Sequence, residues 1–156
     1  MTLEPVTPRL DRLCRATVEI AAPLVVGDTP GGLRRIIPIT GGRVEGARLA
    51  GEVLPGGADW QIVRRDGTAV LEARYTIRTG DGALVYVRNV GLRAGPPEVL
   101  ARLAGGEPVD PAAYYFRTTP RFETAAAAYH WLNDLVAVGP AVRRPDAVIL
   151  DFYAVT

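Results

Sequence analysis

The residues of this chain best suited to chemistry are an acid and an indole side by side, Asp59 and Trp60, which directly follow the segment Gly56-Gly57-Ala58. A carboxyl group held against an apolar ring can have a raised pKa, and it then accepts or donates a proton near neutral pH. The alternative is an Asx-type turn, in which the carboxylate accepts hydrogen bonds from nearby backbone N–H groups. Both interpretations stay open from the sequence.

A second carboxylate is offered by Glu123, which follows the corner Pro120-Arg121-Phe122. Paired with Asp59, it would allow a proton to shuttle between two acids. Arg117 could instead neutralise Glu123 in a structural ion pair, which is the more common arrangement for an isolated Glu within reach of an Arg.

Tyr129, Trp131 and Asn133 alternate along the chain, and this period of two predicts one face of a strand that runs from about Ala127 to Val138. A phenol, an indole and an amide on one face fit the wall of a ligand pocket. They fit equally a filled barrel core in which the amide ties two strands together. The same alternation points His130 away from this face and towards solvent.

The residue types that are absent narrow the chemistry further. All 18 basic residues are Arg, and the chain contains no Lys and no Ser. These absences exclude a Schiff-base lysine, a phosphate-loop lysine and a serine nucleophile. The single Cys14 and the single His130 exclude an internal disulfide, a thiolate-rich zinc site and a multi-histidine metal centre within one chain. We therefore expect no cofactor and no metal, and any chemistry must depend on carboxylates, phenols and amides.

The elements that must position these residues are predicted to be strands. Turn signals rich in Gly, Pro and Asp are separated by runs of roughly 8–12 residues, which is the spacing of an all-β sandwich or barrel. The run Leu71–Arg78 alternates apolar and polar residues, as in a strand with one wet face. One short helix is predicted near residues 97–104, where the segment opens with Pro and Glu and closes at Gly105-Gly106. We divide the chain into an N-terminal extension, residues 1–12, and a single domain, residues 13–156.

A hairpin is predicted around the three-residue turn Gly80-Asp81-Gly82, with its second glycine in the left-handed conformation. This register places Tyr75 opposite Val87 and Ala73 opposite Asn89. Asn89 is then the polar exception on an otherwise apolar face. A buried amide needs hydrogen-bond partners, so Asn89 either ties a structural network or contacts a ligand.

The surface predicts few partners. A formal net charge of +1 with both signs interspersed predicts neither a nucleic-acid partner nor an anionic membrane partner. No apolar run approaches the roughly 18–20 residues that span a bilayer, and residues 1–12 lack an apolar signal segment, so we expect a cytoplasmic protein. Leu84 and Tyr86 fall on the outward face of the predicted hairpin, where exposed apolar side chains point to a homo-oligomer.

Five segments in this order carry a resemblance to a known family. The sequence resembles domain-of-unknown-function family 3237, an uncharacterised bacterial and fungal protein family, from about Leu13 to Val155. The resemblance implies a compact antiparallel β-barrel of the broad lipocalin-like kind, and it implies no assigned reaction. Barrels of that shape include cyclases, hydratases and pure binders, so fold alone does not decide function. The segments are Ile37–Gly42, Val53–Trp60, Asp81–Ala83, Val87–Gly91 and Tyr129–Asn133.

The predicted fold is therefore all-β, a single lipocalin-like antiparallel barrel of about 8–10 strands. The predicted function is cofactor-independent acid-base catalysis, of the isomerase, cyclase or hydratase/dehydratase type, on a small apolar carbonyl-containing molecule in the barrel interior. Asp59 would be the base, Tyr129 or Tyr115 the acid, and the two Asn side chains would stabilise an enolate-like oxygen. The alternatives are a barrel that binds a small hydrophobic ligand without turnover, and a structural oligomer whose barrel is packed solid. Candidate catalytic residues are Asp59, Glu123 and Tyr129, and candidate ligand-binding residues are Trp60, Tyr75, Asn89, Tyr115, Phe122, Trp131 and Asn133.

Overall fold

The computed structural model describes all 156 residues and consists mainly of antiparallel strands. The predicted helix is present as α1 (Pro97–Ala104), which begins with Pro near its first turn and ends before Gly105. Two 3₁₀ helices span Pro111–Ala113 and Ala127–Asp134. No helix is both long and apolar enough to cross a membrane. The strands are β1 (Leu10–Ile20), β2 (Leu24–Thr29), β3 (Gly32–Glu45), β4 (Gly51–Val53), β5 (Gly57–Val63), β6 (Ala69–Thr79), β7 (Leu84–Ala94), β8 (Tyr115–Glu123), β9 (Val136–Arg143) and β10 (Ala147–Val155).

The sheet closes on itself, which confirms the predicted antiparallel barrel. Strand β1 pairs with β10 on one side and with β3 on the other, so the sheet has no free edge at this point. Strands β4 and β5 share the position between β3 and β6, and β2 pairs only with β3. The result is a barrel of eight strand positions that is built from ten strands.

The β6–β7 hairpin confirms the predicted register. Tyr75 pairs with Val87 and Ala73 with Asn89, and Gly82 has a φ of 87°, the left-handed conformation that this turn requires. Inward-facing residues of β6 and β7 are buried, and outward-facing ones such as Arg74 are exposed. This alternation aligns the inward side chains of neighbouring strands in rows across the barrel wall.

The prediction of a strand from Ala127 to Val138 is wrong. Residues Ala127–Asp134 form a 3₁₀ helix, and strand β9 begins only at Val136. Tyr129, Leu132 and Leu135 recur every third residue, which is the period of a 3₁₀ helix, and Leu132 is fully buried. The alternation of aromatic residues that suggested a strand is coincidental, so Tyr129, Trp131 and Asn133 do not share a strand face.

The barrel interior has two chemically different ends. The packed end consists of fully apolar side chains, and the 3₁₀ helix Ala127–Asp134 closes it through Leu132. The arginine end consists of polar and charged side chains, and α1 covers it. The packed end comprises Ile77, Val85, Val87, Phe122, Leu132 and Phe152; the arginine end comprises Arg35, Asp59, Gln61, Arg93 and Arg143.

Candidate functional site

Asp59 lies inside the barrel, on strand β5. It pairs across the sheet with Ile37 of β3 on one side and Ala73 of β6 on the other, and Ala73 in turn pairs with Asn89 of β7. Asp59 and Gln61 are buried, whereas Trp60 between them is exposed, as the alternation of a strand requires. The sequence therefore places an acid and an amide side by side in the interior, two residues apart on one strand.

Both carboxylate oxygens of Asp59 accept hydrogen bonds from the protein. The backbone N–H of Glu72 donates to Oδ1 at 2.9 Å, and the side-chain amide of Gln61 donates to Oδ2 at 3.1 Å. The Gln61 carbonyl oxygen in turn accepts from Arg35. The predicted Asx turn is absent, because both donors lie outside a local turn. Each carboxylate oxygen keeps a second lone pair that is free for a substrate proton.

Burial raises the pKa of Asp59 above its usual range. The two hydrogen bonds and the charges of Arg93 and Arg35 act in the opposite direction, and they do not overcome the loss of hydration. A buried carboxyl group with a raised pKa is a stronger base than a solvated one, which is the property that a general base needs.

A cavity of about 50 Å³ reaches Asp59 in the middle of the barrel. It holds about three water molecules or one small functional group. Two polar atoms in its lining residues, the hydroxyl of Tyr75 and Oδ1 of Asn89, are buried without a hydrogen-bond partner. Buried polar atoms in folded proteins are nearly always paired, so these two atoms are available to hydrogen-bond with whatever occupies the cavity. The barrel is thus filled over most of its length and hollow beside its only interior acid.

Tyr75 and Asn89 face the cavity from neighbouring strands. Burial raises the pKa of the Tyr75 hydroxyl, so this group stays protonated and can donate a hydrogen bond. Apolar side chains complete most of the wall, among them Ile37, Leu71 and Phe116. Asp59, Tyr75 and Asn89 are the three sequence-predicted site residues that the structure brings together.

Strand alternation carries several other predicted site residues to the outside of the barrel. Glu123 is exposed on β8 and lies outside the cavity lining, so the structure does not pair it with Asp59. Tyr115, on the same outward face, is 54% exposed, and Trp60 is 39% exposed. Phe122 points inwards, but its ring packs edge-to-face on Phe152 in the packed end, with 5.8 Å between ring centroids.

The remaining three candidates stabilise the 3₁₀ helix Ala127–Asp134. The Tyr129 hydroxyl donates to Asp81 at 3.0 Å, and the Trp131 ring lies 3.9 Å from the guanidinium carbon of Arg48. The Asn133 amide accepts from the backbone N–H of Thr124 at 2.9 Å and donates to its carbonyl at 3.0 Å. These contacts hold the cap of the packed end, at a distance from Asp59 along the barrel.

The only cysteine and the only histidine lie outside the site. His130 is exposed, as predicted, although it lies in a 3₁₀ helix and not on a strand. Cys14 is buried, and burial raises the pKa of its thiol to about 12, so it is not a nucleophile near neutral pH. No three His, Cys, Asp or Glu side chains come together as a metal-binding group.

Sequence reasoning missed four residues of the arginine end: Gln61, Arg35, Arg93 and Arg143. Each continues the inward period of its own strand, as Arg93 does on β7 after Val85, Val87 and Asn89. Extending the period of two to the end of every strand would have found them. The expectation that charged side chains point to solvent concealed them.

The comparisons with known proteins agree with this fold. The sequence matches the family described as "Protein of unknown function (DUF3237)" over residues 8–155. It is 50% identical to the UPF0311 protein RPA1785 of Rhodopseudomonas palustris over 139 residues, which cover 89% of this chain and 91% of the relative. The crystal structure of RPA1785 superimposes with a TM-score of 0.92 at 46% identity, over 97% of this chain and 100% of that one. A crystal structure described as β-barrel-like, from Acinetobacter baumannii, gives a TM-score of 0.88 at 45% identity, over 99% of this chain and 100% of that one.

A more distant relative carries the name of an activity. The protein named hydroalkoxylation enzyme phnH, from Penicillium herquei, is 24% identical over 151 residues, which cover 97% of this chain and 86% of the relative. An enzyme of the same organism shares the fold, with a TM-score of 0.73 at 22% identity over the full length of both chains. The match over residues 8–155, nearly the whole of this chain, shows that it belongs to the DUF3237 family of uncharacterised proteins.

Proposed function

We propose that this protein is a cofactor-independent acid-base enzyme that moves a proton on a small, mostly apolar carbonyl-containing molecule whose reacting group enters the cavity inside the barrel. The observation that supports the proposal is the group of Asp59, Tyr75 and Asn89 around one cavity, where an acid of raised pKa adjoins two buried polar atoms without partners. Unpaired buried polar atoms destabilise a fold, so a chain that keeps them has a use for them.

The roles follow from the chemistry of each group. The Asp59 carboxylate accepts a proton from the substrate, and the Tyr75 hydroxyl donates a hydrogen bond to the oxygen on which negative charge develops. The Asn89 amide orients the substrate through Oδ1, which accepts from a hydroxyl group. Asp59 then returns the proton to another atom of the same molecule. No oxidant, reductant or second substrate is needed, because the proton leaves and re-enters the same molecule.

The named activity of the distant relative fits this class. Hydroalkoxylation adds an alcohol O–H across a carbon–carbon double bond: a C–O bond forms, the π bond breaks and the hydroxyl proton ends on carbon. A single buried base can accept the hydroxyl proton and deliver it to that carbon. Addition, isomerisation and dehydration next to a carbonyl share this proton transfer, and we propose the shared step rather than one net reaction.

The test is proton exchange in heavy water, which detects the shared step without knowledge of the product. Small cyclic enones and hydroxy-enones are incubated with the protein in D₂O, and deuterium at carbon is followed by NMR and mass spectrometry. We expect exchange with the wild-type protein and a loss of at least about 100-fold with Asp59→Asn. The matched control is Glu123→Gln, which removes an exposed carboxylate and should leave exchange unchanged. Equal exchange by wild type and Asp59→Asn would refute the role of Asp59.

A second candidate function is ligand binding without turnover. It is favoured by the two protein hydrogen bonds that Asp59 already accepts, since a carboxylate with a purely structural role would have such partners. Binding of the enones by wild-type protein without any exchange would support this function and refute the enzyme.

A further inference from the structure

Three arginines at one end of the barrel share a single interior acid. Arg35 of β3, Arg93 of β7 and Arg143 of β9 all line a recess beneath α1, and Arg93 and Arg143 also line the inner cavity beside Asp59. Arg93 is only 8% exposed. With Asp59 ionised, the three arginines and this acid together carry three positive charges and one negative charge.

None of these three arginines forms an ion pair with an acid, and Asp59 offsets only part of their combined charge. The eight ion pairs of the structure involve other arginines, all on the outer surface. Arg35 donates to the neutral amide of Gln61, and Arg143 donates through Nε to the backbone carbonyl of Arg144 at 3.0 Å. Arg93 forms no hydrogen bond with a carboxylate, and its guanidinium lies over the Phe116 ring, 5.4 Å from the centroid.

This arrangement destabilises the charged state. Burial, together with repulsion from Arg143 and Arg35, lowers the pKa of Arg93 to about 10. The pKa of Arg143 is lowered for the same reasons, with burial first and repulsion from Arg35 second. Buried charges are normally paired, and here one buried arginine, Arg93, and two half-buried ones, Arg35 and Arg143, share a single acid. An anion from outside the protein would complete the charge balance.

The space next to the arginines suits a small organic molecule rather than a bare ion. The recess has a volume of about 380 Å³, within the range of small-molecule sites. Apolar side chains from α1 and from the strand ends form its walls, among them Leu33, Val63, Leu100 and Leu103. Guanidinium groups bind planar oxygen anions through paired N–H donors, and the apolar walls accept a hydrocarbon body.

We infer that the arginine end binds a small apolar anion whose charge lies on oxygen, a carboxylate or an ionised enol or phenol. The anionic group contacts Arg93 and Arg143, and the apolar body fills the recess under α1. This inference rests on the proposed function where it identifies the anion as the substrate, and it adds the charge class of that substrate. The binding itself is measured without turnover, so the two can fail separately.

The test compares benzoate with benzamide, which has the same shape and no charge. Isothermal titration calorimetry is performed at low ionic strength on the wild-type protein, with 4-nitrophenolate as a second anion. We expect benzoate to bind about 10- to 100-fold more tightly than benzamide, because hydrogen bonds to charged groups are the strong ones. Tighter binding of benzoate would assign the charge of the natural ligand to a carboxylate. Tighter binding of 4-nitrophenolate would assign it to an ionised enol or phenol. Equal binding of benzoate and benzamide would overturn the inference.

Substitutions of Arg93 and Arg143 test whether the anion binds at the arginine end. Arg93→Met should weaken benzoate by about 10- to 100-fold and leave benzamide unchanged, and Arg143→Met gives the same test if Arg93→Met does not fold. The matched control is Arg121→Met, which removes an exposed arginine of β8 that has no ion pair and should not change either affinity. Unchanged benzoate affinity in folded Arg93→Met and Arg143→Met would overturn the inference.

One further variant separates this inference from the proposed function. Asp59→Asn removes the only interior acid, so it should bind benzoate at least as tightly as the wild type while losing proton exchange. Anion binding without exchange in the wild type would refute the enzyme and leave the anion site established. Exchange without selective anion binding would support the enzyme and overturn the anion site.

Discussion

The two ends of this barrel are built from the same strands and by the same alternation, yet they have opposite character. The packed end buries the apolar side chains of Phe152, Ile77 and Val85 with no exposed surface at all. The arginine end buries Asp59 and Arg93 and holds Arg35 and Arg143 half-buried, so three cations share one acid. The packed end has the apolar interior of a stable core, whereas the arginine end departs from the rule that buried charges are paired.

This contrast separates stability from function along a single barrel axis. Apolar packing at the packed end stabilises the fold and offsets the unfavourable burial of charge at the arginine end. Sites that break local rules in an otherwise consistent fold are where function is found. Variants at the two ends should therefore differ in their effects on stability and on proton exchange.

The largest effect is expected at the packed end. Phe152→Ala removes a fully buried ring that packs edge-to-face on Phe122, and it should lower the free energy of unfolding by about 3–5 kcal/mol. Urea denaturation measures the change. Tyr115→Ala, which truncates an exposed aromatic residue, is the control and should change stability by less than about 0.5 kcal/mol. A loss below about 1 kcal/mol for Phe152→Ala would show that the packed end is not the source of stability.

A smaller effect is expected from the titration of Asp59. Its pKa is raised in the folded state, so the folded protein binds more protons than the unfolded chain between the usual pKa, 3.8, and the raised one. In that window stability falls as pH rises, by up to about 1.4 kcal/mol per pH unit. Asp59→Asn removes this dependence, so its stability relative to wild type should increase as pH rises above about 4. Parallel curves of stability against pH for the two proteins would contradict the raised pKa.

Replacing a buried cation at the arginine end should stabilise the ligand-free protein. Arg93→Met keeps most of the side-chain volume and removes an unpaired buried charge, so the free energy of unfolding should rise by about 1 kcal/mol. Thermal unfolding without added anion measures the change, and Arg121→Met serves again as the exposed control. A loss of more than about 1 kcal/mol would mean that Arg93 has a structural partner and would remove the contrast between the ends.

The smallest effect is expected for Tyr129→Phe in the cap of the packed end. This substitution deletes the hydroxyl that donates to the exposed Asp81, and it should lower stability by about 0.5 kcal/mol. Because Tyr129 lies outside the cavity lining, proton exchange should be unchanged. Lost exchange in a stable Tyr129→Phe variant would restore Tyr129 as a catalytic acid and shift the site towards the packed end.

The part of the fold that followed from sequence is the part with local signals. A glycine turn and two alternating strands predicted the β6–β7 pairing residue by residue, and Asn89 was found because it breaks an apolar face. The cap Ala127–Asp134 was predicted wrongly, because a period of two in the aromatic residues competed with a period of three in the buried ones. Over eight residues, a sequence can satisfy both periods at once.

The candidate site followed only in part, because its members come from strands that are far apart in the chain. Glu123 and Tyr115 could have been placed outside from the inward series Phe116, Thr118, Phe122 on their own strand. The convergence of Arg35, Arg93 and Arg143 depends on the closure of β1 onto β3 and on strand register, which no local pattern encodes. Closure of a barrel is a long-range property, so the shared site becomes visible only in three dimensions.

Because every interior cation is an arginine, the positive charge at the site does not change with pH near neutrality. Even Arg93, with its pKa lowered to about 10, keeps its charge throughout the neutral range, and the chain has no lysine and no interior histidine that could titrate there. Changes in pH near neutrality therefore leave the positive charge of these arginines in place beside Asp59. The interior therefore combines permanent positive charge with a single acid, Asp59, that can gain or lose a proton.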